Sequence, residues 1–231
     1  MSVVFVHGFT QSAASWHAVD VLLDEKLDRR FLDVPDGLDF VATASAIGEV
    51  GGRGTYVGYS MGGRLCLQLA LDRAELVDRL VLVSASPGIR GEVERAARRE
   101  ADERQAQEIE RDGVDAFLER WLAQPMFATV PPERAGLADR KHANTVETLT
   151  HQLRVLGQGA QPDNWPRLHS LGVPALLIAG ALDVKYVDSA HQMGTQIADA
   201  RVDVIAEAGH ACHLEQPAAV AHAVTSWLRT R

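Results

Sequence analysis

Cysteine is scarce in this sequence, two residues in 231, and Cys66 and Cys212 are so placed that they suggest no disulfide framework. Positive charge is in the minority too: 23 Lys and Arg stand against 31 Asp and Glu, a net of -8 with histidine neutral. That balance argues against general binding to nucleic acid or to an acidic membrane, while leaving local basic patches open. No apolar run approaches the roughly 18 residues that a membrane-spanning helix needs, and the first residues lack the zones of a secretory signal. A soluble, cytoplasmic protein is the expectation. Internal repeats and low-complexity segments are missing as well. What is plentiful is apolar material, 46% of the residues, enough at this length to bury a substantial core in one domain with an insertion.

That material alternates between two periods. Ser2-Val3-Val4-Phe5-Val6 reads as a buried strand ending at His7-Gly8-Phe9-Thr10. Trp16, Val19, Leu22, Leu23 and Leu27 then recur at helical spacing, with Ser15 as a candidate cap. Phe31-Leu32-Asp33-Val34 is a second strand stopped by Pro35, residues 41–47 are helical, and Gly51-Gly52-Arg53-Gly54 is a turn. Strands follow before Ser60, at Leu80-Val81-Leu82-Val83-Ser84, at Ala175-Leu176-Leu177-Ile178-Ala179 and at Val202-Asp203-Val204-Ile205, and a helix spans 218–228. Such alternation implies parallel strands joined by crossover helices on both faces. It stops over residues 91–156, which are charged, helix-favouring and without a convincing strand; they read as a helical cap inserted above the sheet.

The chemistry centres on Val57-Gly58-Tyr59-Ser60-Met61-Gly62-Gly63-Arg64, a strand that breaks at Ser60 and passes into a helical pattern. Gly-x-Ser-x-Gly is the nucleophile elbow, whose glycines leave room for a strained turn that lifts the serine hydroxyl above the sheet. Two later loops, each following a strand, supply partners: Gly180-Ala181-Leu182-Asp183 and Ala208-Gly209-His210. Sites in open parallel sheets form at the carboxyl ends of the strands, so Ser60, Asp183 and His210 can converge despite their separation, and their order is that of the α/β-hydrolase fold. Asp188 and Asp203 are competing acids. His210, Cys212 and His213 could also be read as metal ligands, but no second cluster supplies the paired spacing that zinc sites show. His213 is instead read as structural or substrate-proximal. The backbone amides of Met61, just after the serine, and of Phe9, just after His7-Gly8, are the expected oxyanion-hole donors. Arg64 sits on the first turn of the helix beside the serine, where a guanidinium fork suits a substrate carboxylate.

Several stretches together carry a more specific resemblance. They are His7-Gly8-Phe9, Gly58-Tyr59-Ser60-Met61-Gly62-Gly63-Arg64, Ser86-Pro87-Gly88-Ile89, Glu94-Arg95-Ala96-Ala97-Arg98 and Trp121-Leu122-Ala123-Gln124-Pro125-Met126-Phe127. Arg140, Gln161-Pro162-Asp163, Asp183-Val184-Lys185-Tyr186 and Gly209-His210-Ala211-Cys212-His213-Leu214-Glu215 continue them. With these the chain resembles the 2-succinyl-6-hydroxy-2,4-cyclohexadiene-1-carboxylate synthases of menaquinone biosynthesis, over nearly its whole length and including the cap. Asp33-Val34-Pro35-Asp36-Gly37-Leu38 departs from that pattern, lacking the Gly-His-Gly usual after this strand. The resemblance implies that Arg64, Arg98 and Arg140 bind substrate carboxylates, with Tyr59 and Trp121 lining the pocket. From spacing alone, Arg98 could equally belong to a solvated helix face shared with Arg95 and Asp102.

The expected architecture is therefore an α/β-hydrolase fold with a mostly parallel sheet, residues 1–86 and 166–231 forming the core and 87–165 the inserted helical cap. The expected reaction is loss of pyruvate from 2-succinyl-5-enolpyruvyl-6-hydroxy-3-cyclohexene-1-carboxylate, with Ser60, His210 and Asp183 acting as the base. A hydrolase of esters or carbon–carbon bonds in small carboxylated substrates is the alternative. A silent binding module on this fold is disfavoured by the filled triad. The expected partner is a small polycarboxylate substrate, with no cofactor, metal, nucleic acid, membrane span or obligate protein partner.

Overall fold

The computed structural model describes residues 2–229. In chain order its elements are β1 (Ser2–Val6), α1 (His17–Asp20), β2 (Asp28–Leu32), α2 (Phe40–Gly51), β3 (Gly54–Tyr59), α3 (Met61–Asp72) and β4 (Val77–Val83). Then come α4 (Glu92–Leu122), α5 (Leu137–Ala143), α6 (Val146–Leu156), β5 (Ala175–Gly180), α7 (Val184–Gly194), β6 (Ala200–Ile205), α8 (Cys212–Glu215) and α9 (Pro217–Arg229). The strands pair in the order β2-β1-β3-β4-β5-β6, every pair parallel.

Because successive strand side chains point to opposite faces, each central strand serves two apolar layers. Val4, Val6, Tyr56, Leu80, Leu82 and Leu177 pack with α2, α3 and α7, while Val3, Phe5, Val57, Val81, Leu176 and Ile178 pack with α1 and α9. Burial on both sides explains why these strands read as continuous apolar runs instead of alternating ones.

Two local expectations are corrected. The helical spacing from Trp16 to Leu27 does not yield one helix capped by Ser15; Ala13–Trp16 is a 3-10 turn and α1 ends at Asp20. The Asp20 carbonyl, which a continuing helix would offer four residues on, accepts instead from the Leu23 N–H and from Arg29, and Leu22 is left half exposed. The second strand lies earlier than expected, at Asp28–Leu32, because it pairs along the full length of β1 from Ser2 to Val6. Val34, beyond the end of that register, donates its N–H to His7 instead.

Between β4 and β5 the described residues contain no strand; α4, α5 and α6 fill the connection. Gly113, at φ 82°, breaks α4 into two segments, whose Ala106, Ile109, Phe117 and Leu118 pack against Leu149 and Leu153 of α6. Thr145 and Thr148 close the start of α6 with a reciprocal capping box. No described helix is long and apolar enough to cross a membrane.

Topology decides where a site can form. From β1 the chain goes to β2 on one side and returns to β3 on the other, so a crevice opens beyond the carboxyl ends of β1 and β3. The loop 7–10 and the turn at Ser60 both emerge there.

Candidate active site

Ser60 stands at φ 49° and ψ -107°, outside the regions that L residues ordinarily occupy. Such a backbone costs about 1–3 kcal/mol and persists only where its surroundings over-determine it. Here the Ser60 N–H donates to the Val83 carbonyl at 2.9 Å, and the Ser60 carbonyl accepts from Arg64 at 3.0 Å as α3 begins. The turn is too tight for side chains beside it: a Cβ on Gly62 would lie 2.4 Å from the carbonyl oxygens of Val6 and His7.

The two partners come from the loops after β5 and β6. His210 Nε2 lies 3.1 Å from Ser60 Oγ, and His210 Nδ1 lies 2.6 Å from Asp183 Oδ2. With the carboxylate at Nδ1, that nitrogen carries the proton and Nε2 is free to accept from the serine. Of the competing acids, Asp188 is exposed and Asp203 is paired with Arg201. Glu215, buried at the end of α8, holds the His210 loop by accepting from the N–H groups of Gly209 at 2.6 Å and Ala211 at 3.0 Å. His213 is fully buried and does not line the cavity beside the serine.

The loop after β1 is fixed by His7. Its Nε2 accepts from Val34 at 3.1 Å, so Nδ1 carries the proton and donates to the Gly8 carbonyl at 2.8 Å. Asp33 comes within 3.6 Å of this ring, but burial pushes the His7 pKa below its ordinary value, and the neutral form is the one consistent with both hydrogen bonds. The Gly8 carbonyl accepts from Gln11 N–H as well. Across a planar trans peptide the N–H points opposite to the C=O, so the Phe9 N–H faces away from both donors. Gly8 itself could not be larger, since its Cβ would lie 2.6 Å from the Tyr59 ring.

Ser60, Asp183 and His210 open onto a cavity of about 370 Å³ that also touches Phe9, Tyr59, Met61, Arg64, Arg98 and Trp121. Its walls come from the sheet loops on one side and from α4, α6 and the segment after α6 on the other. Phe9 meets Trp121 edge-on at 5.2 Å, closing the aromatic side. Arg64 is 5% exposed and donates to the Leu156 carbonyl at 2.8 Å and to Gln161 at 3.4 Å, and among the described residues no carboxylate pairs with it. Burial lowers its pKa to about 10, so it remains a cation at neutral pH. Arg98 donates to Asp102 at 2.7 Å and to Gln158 at 3.1 Å. Arg140 departs from expectation: it does not line this cavity, and its guanidinium donates to the Ala135 carbonyl and to Thr10 Oγ1.

Other residues of the site went unremarked in the sequence. Gln158, on the segment after α6, donates to the Tyr186 hydroxyl at 2.7 Å, and with Arg98 the three form one hydrogen-bonded wall of the cavity. Tyr186 also packs its ring 4.6 Å from that of His210. A glutamine between glycines carries no periodic signal. Tyr186 falls within a stretch that resembles the synthases but stands out by nothing else.

Residues 3–223 match the model of the alpha/beta hydrolase family. A 2-succinyl-6-hydroxy-2,4-cyclohexadiene-1-carboxylate synthase from Salmonella schwarzengrund (strain CVM19633) is 30% identical over 247 residues, which span 99% of this chain and 94% of the relative. A Bacillus subtilis (strain 168) protein that carries the same name provisionally is 31% identical over 246 residues, spanning 98% of this chain and 90% of its own. Among solved structures, MenH from S. aureus superposes with a TM-score of 0.93 at 26% identity, covering 99% of this chain and 93% of that one.

Proposed function

The chain belongs to the alpha/beta hydrolase family and, within it, to the 2-succinyl-6-hydroxy-2,4-cyclohexadiene-1-carboxylate synthases; from that premise we propose that it is a carbon–oxygen lyase. It eliminates pyruvate from 2-succinyl-5-enolpyruvyl-6-hydroxy-3-cyclohexene-1-carboxylate. The observation that carries this reading is Arg64, a buried cation that has no carboxylate partner among the described residues and lines the cavity that holds Ser60. An unpaired buried charge is costly, and a substrate carboxylate is the counterion that would offset it. Arg98 lines the same cavity and, though paired with Asp102, keeps guanidinium donors to spare, an arrangement that suits a polyanion.

The chemistry then follows from the hydrogen-bond chain. As Ser60 Oγ removes a ring proton, its own proton passes to His210 Nε2, and the imidazolium so formed is stabilised by Asp183. The C2–H electron pair becomes a C2=C3 double bond, the existing C3=C4 pair shifts to C4=C5, and the bond from C5 to the enolpyruvyl oxygen breaks. The enolate so released takes up a proton at its methylene carbon, which restores the neutral His210 by net return of the imidazolium proton, and leaves as pyruvate. Charge that develops on a substrate oxygen is met by the N–H groups of Phe9 and Met61. Two features support these donors: the Phe9 N–H points away from the anchors of the Gly8 carbonyl, and Met61 is the first residue of α3, whose N–H has no partner within the helix.

The test is release of pyruvate from the purified cyclohexene substrate, with a neutral aryl ester as comparison. The expected result is turnover of the former, abolished in Ser60→Ala. Ester hydrolysis without pyruvate release would replace the lyase with a hydrolase.

A further inference from the structure

Gly8 lacks the side chain that would restrict its torsions, yet the direction of the Phe9 N–H depends on them. His7 anchors the Gly8 carbonyl, and a second histidine acts on the N–H. Gln11 Oε1 lies 3.3 Å from the Gly8 nitrogen, and Gln11 Nε2 lies 3.4 Å from Nε2 of His213. Donor and acceptor chemistry orients both contacts. A backbone N–H only donates, so the amide oxygen faces Gly8; the amide nitrogen also only donates, so His213 Nε2 accepts and the ring proton falls to Nδ1, which is buried without a hydrogen-bond partner among the described residues. His213 is held in place by rings, its centroid 4.1 Å from Tyr59 and 4.9 Å from Trp16.

We propose that His213 is a positioning residue that acts through Gln11: its unprotonated Nε2 fixes which way the Gln11 amide points, and Gln11 thereby holds the Gly8 N–H and aims the Phe9 N–H at the cavity. With the other tautomer the amide would turn over and set its own N–H groups against that of Gly8, donor facing donor. Burial holds the His213 pKa well below its ordinary value, with Arg140 and His210 acting in the same direction, so the accepting form persists at neutral pH. The proposal rests on the reading of the Phe9 N–H as an oxyanion donor, and its test separates the two.

His213→Phe keeps a ring between Tyr59 and Trp16 while removing the acceptor; Gln11→Leu removes the link. Each variant should lower kcat for pyruvate release by roughly tenfold to a hundredfold, less than or comparable to deleting an oxyanion donor, with KM within about twofold of the parent. The double variant should lose little more than either single one. Independently of any substrate, 15N spectra of the unmodified protein should show His213 neutral with its proton on Nδ1. In both variants the Gly8 amide should exchange faster with solvent. A proton on His213 Nε2, an unchanged Gly8 amide, or folded variants with unaltered kcat would each overturn the proposal. Should His213→Phe fail to fold, Gln11→Leu and the tautomer measurement still decide. Absence of pyruvate release from the unmodified enzyme would sink the lyase reading, and the two spectroscopic results would then judge this one alone.

Discussion

Replacing Arg98 separates binding from folding, because the residue has two different kinds of partner. One is Asp102, whose side chain is 3% exposed against 33% for Arg98; the other, on the proposed reading, is a substrate carboxylate. Arg98→Met keeps the aliphatic stem and removes the charge, leaving Asp102 buried and uncompensated. Truncating one partner of a fully buried pair costs about 3–5 kcal/mol; the exposure of Arg98 brings the expected loss to roughly 2–3 kcal/mol, read by urea unfolding. Asp102→Asn in the same chain should recover most of it, since a neutral amide is cheaper to bury and can still accept from the Gly159 N–H. Activity should not recover. The guanidinium donors that Asp102 and Gln158 leave unused can hold a carboxylate, and such a charge-assisted contact is worth about 1.5–3 kcal/mol, or roughly tenfold to 150-fold in kcat/KM. Pyruvate formation, coupled to NADH oxidation by lactate dehydrogenase, measures it. A doubly substituted enzyme with restored stability and unimpaired kcat/KM would refute the role of Arg98 in binding; equal losses on a neutral ester would make that role structural.

Arg64→Met should give the opposite signature. Removing a desolvated cation offsets the lost bonds to Leu156 and Gln161, so unfolding stability should stay within about 1 kcal/mol while kcat/KM falls at least tenfold. In the triad, Ser60→Ala and His210→Ala should each remove most of the activity, and the pair together little more, because the groups act as one unit; additive losses in steady-state assays would contradict the shared proton path. Acid should destabilise the fold through His7 and His213, both held below their ordinary pKa by burial. The unfolded chain takes up these protons first as pH falls through about 6.5, so stability is complete above that value. Urea titrations should find up to about 2 kcal/mol lost per histidine between pH 7 and 5, and the loss should shrink in His213→Phe.

The sequence by itself determined the elements with strong local signals. Strands buried on both faces must be continuously apolar, which made β1, β3, β4 and β5 legible. The elbow demands glycine on either side of a strained serine, which made Ser60 legible, and the strand–loop positions of Asp183 and His210 pointed to its partners. Local spacing misled where tertiary bonds competed with it, as at α1, where Arg29 and Leu23 take the Asp20 carbonyl, and at β2, whose register is set by β1. The four-residue spacing of Arg98 and Asp102 already offered their pair, but only the tertiary structure decided which aspartate meets His210, that no carboxylate among the described residues pairs with Arg64, and that Arg140 turns to Thr10 instead of the cavity. Those facts depend on which side chains become neighbours once the loops after β5 and β6 meet and α5 and α6 pack against the sheet. Neighbours so distant in the chain leave no periodicity to read, and a tautomer such as that of His213 is set only by what a ring nitrogen faces.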